Sequence, residues 1–246
     1  MAVSASLAGA CTTSDDGTTT SSSSSTSTTA VVRVDDGVLR IGVLLPSSGA
    51  GASIIGDSAR AAVQSAIASA NAEGGVLGRD VELVLQDEGA DSATAAVGLR
   101  ALIDANVDVL IGPASSNIAI ALMPSIVDAG LVTCSPGASA LALDEFPDDG
   151  LFFRTIASDS LQADAMATVL ERTGERSAVI AYVDDGYGRP FEEALRFQLR
   201  RRGIAVDASV GYAADDNDYG AEAARLVTSG DGAIALIGGG RHAVRR

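Results

Sequence analysis

From Val38 onward, short apolar runs alternate with longer segments whose apolar residues recur every three or four positions. "VLRIGVLLP" (38–46), "DVELVLQD" (80–87), "VDVLIGP" (107–113) and "LVTCSPG" (131–137) read as strands. Between them, "GDSARAAVQSAIASANAEGG" (56–75), "DSATAAVGLRALIDA" (91–105) and "SNIAIALMPSIVDAG" (116–130) read as amphipathic helices, the first stopped by glycine. A turn-rich segment then leads to "LFFRT" (151–155). A second series follows, with helix 159–174, strand "SAVIAYVDD" (177–185), helix 189–203, strand "IAVDASVGY" (204–212), helix 219–230 and strand "GAIALIGGG" (232–240). Strands separated by helices of about 10–15 residues predict right-handed βαβ units and parallel sheets. Near-continuous apolar strands such as "VDVLIG" fit sheets covered on both faces.

The first thirty residues carry no such pattern. "TTSDDGTTTSSSSSTSTT" is a low-complexity polar tract that buries too little surface to order itself. The Leu-Ala-Gly-Ala run directly before Cys11 resembles a bacterial lipoprotein signal, in which the cysteine is lipidated and becomes the mature N-terminus. It departs from that pattern at Ala8, lacks a preceding basic residue and is short for a full signal.

Charge narrows the function. Against 32 acidic side chains stand 17 basic ones, giving a net charge of −15, and every basic residue is arginine. Nucleic acid and anionic membrane surfaces would repel such a chain. The absence of lysine excludes a Schiff base or a lysine-bearing phosphate loop. Cys11 and Cys134 are the only cysteines and His242 the only histidine, so a histidine-based catalytic pair or a Cys/His zinc site has no material.

In an open parallel sheet, ligands gather at the carboxyl ends of the strands. That rim would hold the loops "LPSSGAGASIIGD" (45–57), "QDEGAD" (86–91), "GPASSN" (112–117) and "CSPGAS" (134–139). They are rich in serine and glycine but offer no titrating dyad. "GAGASIIG" fails as a dinucleotide fingerprint, because the third glycine falls on Ile54. Asp87 and Glu88 suggest magnesium only weakly, since no second acid stands near Leu45 and no lysine follows. Cys134, at the end of an apolar strand, reads as a buried small hydrophobe.

In order, the blocks "IGVLLPSSGAGASIIGDSAR", "NAEGGVLGRDVELVLQDEGAD", "VLIGPASSNIAIAL", "LVTCSPGAS", "FFRTIASDSLQADAMA" and "DDGYGRPFEEAL" resemble the leucine/isoleucine/valine-binding proteins of ABC importers. The resemblance covers about Leu39 to Gly239. It implies an α/β type I periplasmic-binding fold: two Rossmann-like, doubly wound parallel-sheet lobes that close on a ligand by hinge motion. The expected organisation is a partial lipoprotein signal at 1–11, a tether at 12–36, a first lobe at 37–156 and a second, incomplete lobe at 157–246.

Carried over by position, Ser116 with Ser115 would bind the α-carboxylate of an amino acid. Gly137 would offer a carbonyl and Ala138 an N–H, while Ser139 stands for the family's usual threonine. Ile55 would line the pocket where an aromatic often stands, and Tyr187 would reach in from the second lobe. The residue chemistry agrees, since a carboxylate suits a hydroxyl plus helix-end N–H groups and an apolar side chain suits Ile54, Ile55 and a tyrosine ring. Ser116 acting only as a helix cap is the competing explanation. Replacing it with alanine is expected to weaken binding about tenfold or more at little cost in stability.

The resemblance breaks off before the acidic residue that members direct at the ligand ammonium, and apolar faces are expected to be left uncovered by the missing elements. Ala90 and Ser115 replace the cysteines of a disulfide found in some members. The chain therefore reads as a fragment of a solute receptor for branched-chain or related amino acids, not an enzyme and without cofactor or metal. Its expected partners are the amino acid and ABC permease subunits, with membrane contact only through a lipid anchor at Cys11. It would be an extracytoplasmic monomer. A ligand-sensing domain of the same fold is the alternative, and a nucleotide-dependent enzyme a third reading that the missing glycine and lysine disfavour.

Overall fold

The structure, a computed structural model, describes residues 36–49, 55–214, 216 and 218–238. Cys11, Ile54 and His242 lie outside these residues, as does the expected tether except Asp36.

Five strands form the first sheet: β1 (Arg40–Leu45), β2 (Glu82–Asp87), β3 (Val109–Ile111), β4 (Val132–Ser135) and β5 (Phe152–Arg154). All pair in parallel, in the order β2-β1-β3-β4-β5. Helices α1 (Asp57–Ala72), α2 (Ser92–Asp104) and α3 (Ser116–Asp128) connect the first four strands. The order reverses between β1 and β3, the position at which a doubly wound sheet opens a crevice at its carboxyl edge.

Side-chain alternation divides the core by face. Leu44 and Leu110 point to the side covered by Leu99 and Leu102 of α2 and by Leu122, Met123 and Ile126 of α3. Val43 and Leu45 point to the other side, where Ile55 and Ala59 and Val63 of α1 meet them. Each fully buried leucine contributes about 1.5–3 kcal/mol relative to exposure. Beyond α1 that second face is more open, with Val132 and Phe153 at 40% and 56% exposure.

A second parallel sheet, of order β7-β6-β8, comprises β6 (Ser177–Val183), β7 (Ala205–Tyr212) and β8 (Ala233–Ile237). Helix α4 (Asp159–Thr173) precedes it, while α5 (Gly188–Arg201) and α6 (Gly220–Thr228) join its strands. Ala163 and Ala167 of α4 pack with Ile180, Phe191, Leu195, Leu199 and Ile237. On the opposite face, Ala181, Val183 and Tyr212 pack with Leu226 of α6.

Local chemistry sets several boundaries. Asp91 caps α2 by accepting the Thr94 N–H at 2.9 Å, and Ser158 caps α4 by accepting the Ser160 N–H at 3.2 Å. Strand β3 is shorter than the run 107–113 suggests, because Gly112 turns the chain at φ 109° and Pro113 has no N–H to add to the ladder. A Cβ on Gly112 would lie 1.9 Å from the Leu44 carbonyl oxygen, so only glycine brings this turn against β1.

Candidate functional site

The turn after β3 is held from beneath by Glu88. This buried side chain, just past β2, accepts the N–H of Ala114 through Oε2 at 2.7 Å and that of Ser115 through Oε1 at 2.8 Å. Burial pushes its carboxyl above the usual range, against the pull of those two N–H groups. Its neighbour Asp87 accepts from Ser47 N–H at 2.7 Å, the Ser48 hydroxyl at 2.6 Å and Gly89 N–H at 2.9 Å. Burial raises the Asp87 carboxyl, but these bonds outweigh it and hold the group well below the usual carboxylate range. Both acids are thus engaged in fixing rim loops. Among the described residues no group of three or more His, Cys, Asp or Glu could hold a metal ion.

Neither serine caps α3 through its side chain. Ser115 occupies the N-cap position without a side-chain cap bond. The first helical bond runs from Ala119 N–H to Ser115 O at 2.8 Å, so the N–H groups of Ser116, Asn117 and Ile118 precede it and face out of the helix end. Ser116 Oγ accepts the N–H of Ser139 at 3.1 Å and of Ala140 at 3.2 Å. With both acceptor positions filled, this hydroxyl has only its proton left to offer. It is a directed donor on the rim, beside open N–H groups that favour negative charge. Ser116 therefore also ties two loops together, which overturns the expectation that its loss would cost little stability.

The loop after β4 is similarly fixed. Ser135 Oγ donates to Pro113 O at 2.5 Å and accepts the N–H of Ala138 at 2.9 Å and of Gly137 at 3.3 Å. The Ala138 N–H, which the resemblance assigns to the ligand, is therefore spent on an internal bond, and Ala138 is fully buried. A Cβ on Gly137 would lie 2.7 Å from Ala114 O and 3.0 Å from Ile55 Cδ1, so glycine lets the loops of Ile55, Ala114 and Gly137 meet. The structure thus brings Ile55, Ala114 and Gly137 together on one rim.

From the second sheet, Tyr187 arrives at the N-cap position of α5, its ring edge-on to Phe191 at 5.9 Å and 78°. Asp185 shapes this turn, its Oδ1 accepting the N–H of Tyr187 at 2.9 Å and of Gly188 at 2.8 Å. Its Oδ2 accepts from Asn117 Nδ2 of α3 at 2.9 Å, so the end of β6 is bonded to the start of α3. Burial, then the nearby charges of Asp159 and Asp185, push the Tyr187 phenol up to about 12, which keeps its proton in place.

Asp159 was not anticipated. It opens α4 and is fully buried, with its N–H donating to Ser139 O at 3.0 Å. Gln162 Nε2 donates to Oδ1 at 2.8 Å, whereas Oδ2 is buried without a hydrogen-bond partner. Burial raises its carboxyl to about 6, with the Ser139 hydroxyl and Arg154 countering in part and Asp144 adding to the rise. In sequence, an acid at a helix start reads as an exposed partner for the helix dipole, and only the serine at 158 hints that the position is structured.

These loops provide donors for an anionic group, an apolar wall at Ile55 and, at Asp159, an acceptor. Cys134 at the end of β4 is a free, half-buried thiol. No helix among the described residues is long and apolar enough to cross a membrane.

Comparison with known proteins agrees with this architecture. The model of a family described as periplasmic binding protein matches residues 38–245. The chain is 31% identical over 207 residues to the chemotactic signal transduction system substrate-binding protein BasB of Halobacterium salinarum, covering 80% of this chain and 49% of BasB. It is 26% identical over 191 residues to the Leu/Ile/Val-binding protein BraC3 of Rhizobium johnstonii, covering 76% of this chain and 51% of that one. The chain thus spans about half the length of the curated relatives it matches. An ABC transporter substrate-binding protein of Desulfitobacterium hafniense, solved in complex with Leu, aligns with TM-score 0.63 at 29% identity, over 72% of this chain and 52% of that one.

Proposed function

The chain belongs to the periplasmic binding protein family, a family of substrate-binding proteins, and from that premise we propose that it is the solute-binding part of an ABC importer for branched-chain or related amino acids. The observation that carries this reading is the Ser116 hydroxyl, which the N–H groups of Ser139 and Ala140 leave with only a proton to donate. Beside it stand the open N–H groups at the start of α3, a donor set suited to a carboxylate. Ser115 and Ser116 receive the ligand carboxylate, Gly137 and Ser139 line its polar side, and Ile55 and Tyr187 enclose its side chain. The names of BraC3 and of the Leu complex favour an aliphatic amino acid.

In this reading residues 37–156 form one lobe and 157–246 belong to the other, with the ligand in the cleft between them. Lipidation at Cys11 anchors the chain outside the cell, the tether of 12–36 gives it reach, and ABC permease subunits receive the ligand from a monomer. Calorimetric titration with leucine, isoleucine and valine tests the ligand class. Saturable binding is the expected result, and its absence in a folded chain would overturn the assignment. A sensing role is the second reading, favoured by the name of BasB, and capture of a signalling partner in place of a permease would select it.

A further inference from the structure

We propose that Arg154 is a positioning residue of the carboxylate site, holding the peptide between Ala138 and Ser139 so that the Ser116 hydroxyl can only donate. The site thereby prefers a carboxylate to a neutral amide. This inference rests on the preceding assignment of the carboxylate to Ser116 and deepens it. Arg154 ends β5 and pairs with Ser135 of β4, where the rim loop begins. Its side chain, 16% exposed, reaches that loop, and Nη1 donates to the carbonyls of Ala138 at 3.4 Å and Ala140 at 3.2 Å. Nη2 bonds to Asp144, whose carboxylate also accepts the Ser158 hydroxyl at 2.7 Å. The planar fork is thus fixed on both arms.

The peptide unit joining Ala138 to Ser139 is held at both ends. Its carbonyl accepts from the Arg154 guanidinium, and its N–H donates to Ser116 Oγ at 3.1 Å. The next N–H, of Ala140, fills the second acceptor position of Ser116 at 3.2 Å. Ala138 is fully buried, so its carbonyl needs a donor, and the guanidinium supplies a charge-assisted one. Without that donor the carbonyl gains by rotating toward the Ser116 hydroxyl. The hydroxyl then gives its proton inward and turns its lone pairs to the ligand, where they repel a carboxylate and accept from an amide N–H. Arg154 therefore acts through Ser116 and makes no contact with the ligand. The loop keeps its other ties, since Ser135 Oγ takes the N–H groups of Gly137 and Ala138, and Ser139 O takes the Asp159 N–H at 3.0 Å. Replacing Arg154 changes the direction of one peptide more than the path of the loop.

The test is calorimetric titration of the 246-residue chain with leucine and with leucinamide, which keeps the side chain and amine but replaces the carboxylate by a neutral amide. The wild-type chain is expected to bind leucine about 10- to 100-fold more tightly than leucinamide. Arg154→Met keeps the apolar stem and removes the fork, and is expected to shrink that ratio about tenfold by weakening leucine. Arg154→Lys places one nitrogen where the fork places two, and its ratio is expected to fall about two- to fivefold. A merely structural role would weaken both ligands alike. An unchanged ratio in Arg154→Met would therefore overturn the inference while leaving the carboxylate assignment standing. Where Arg154→Met does not fold, an unchanged ratio in Arg154→Lys does the same. If the folded wild-type chain binds both ligands equally, or binds neither, the carboxylate assignment falls and this inference falls with it.

Discussion

The backbone N–H of Ser139 donates to Ser116 Oγ at 3.1 Å, so the loop after β4 rests on the first residue of α3. Ser116→Ala would leave the N–H groups of both Ser139 and Ala140 buried without an acceptor. A cost of about 2–4 kcal/mol in unfolding free energy is expected, along with at least a tenfold loss of amino-acid affinity. Denaturant unfolding and calorimetry on the same sample measure the two effects separately.

Glu88 holds Ala114 and Ser115 from below with one carboxylate oxygen each. In Glu88→Gln the amide oxygen retains one bond and the amide nitrogen confronts the other N–H. Stability should fall by about 1–3 kcal/mol, and affinity should fall with it because the turn carrying Ser116 loosens. An unfolding midpoint equal to that of the wild-type chain would show that Glu88 does not hold the turn.

Asn117 and Asp185 join α3 to the turn after β6, at 2.9 Å. Asn117 is exposed, so Asn117→Ala should alter stability little while accelerating ligand release up to about tenfold, as expected for one lost charge-assisted bond between α3 and the turn after β6. Asp185→Ala also removes the acceptor for Tyr187 and Gly188, and should lower stability by about 1–2 kcal/mol. Stopped-flow dissociation rates with unfolding curves for both variants check this contrast.

Asp159 predicts a pH signature without ligand. Its carboxyl is raised from 3.8 to about 6 in the native state, so folding favours the protonated form. The associated stability is present below pH 3.8 and is lost as pH rises through about 6. Asp159→Asn removes this dependence. The variant should gain on the wild-type chain by about 1–3 kcal/mol near neutral pH, with the difference shrinking toward about pH 4. A pH-independent difference would show that the buried charge is not the cause.

Strand periodicity was sufficient to reveal the βαβ order and the rim loops that gather Ile55, Ser116 and Gly137, because alternation and helix spacing are local signals. What escaped depends on contacts between distant loops. Glu88 looks like one half of a weak acidic pair, and its role emerges only when the end of β2 lies under residues 26 and 27 positions onward. The Ala138 N–H looks available until Ser135 folds back on it. Asp159 resembles any acid at a helix start, since its burial depends on the loop of Ser139 passing over it.

If this rim binds an aliphatic amino acid, thermal unfolding with and without leucine, isoleucine and valine reveals it. Ligand that binds only the native state raises the midpoint in proportion to its occupancy. The expected result is a cooperative transition that at least one of the three shifts upward in a concentration-dependent manner. A cooperative transition that none of them moves, even at millimolar concentration, would contradict it.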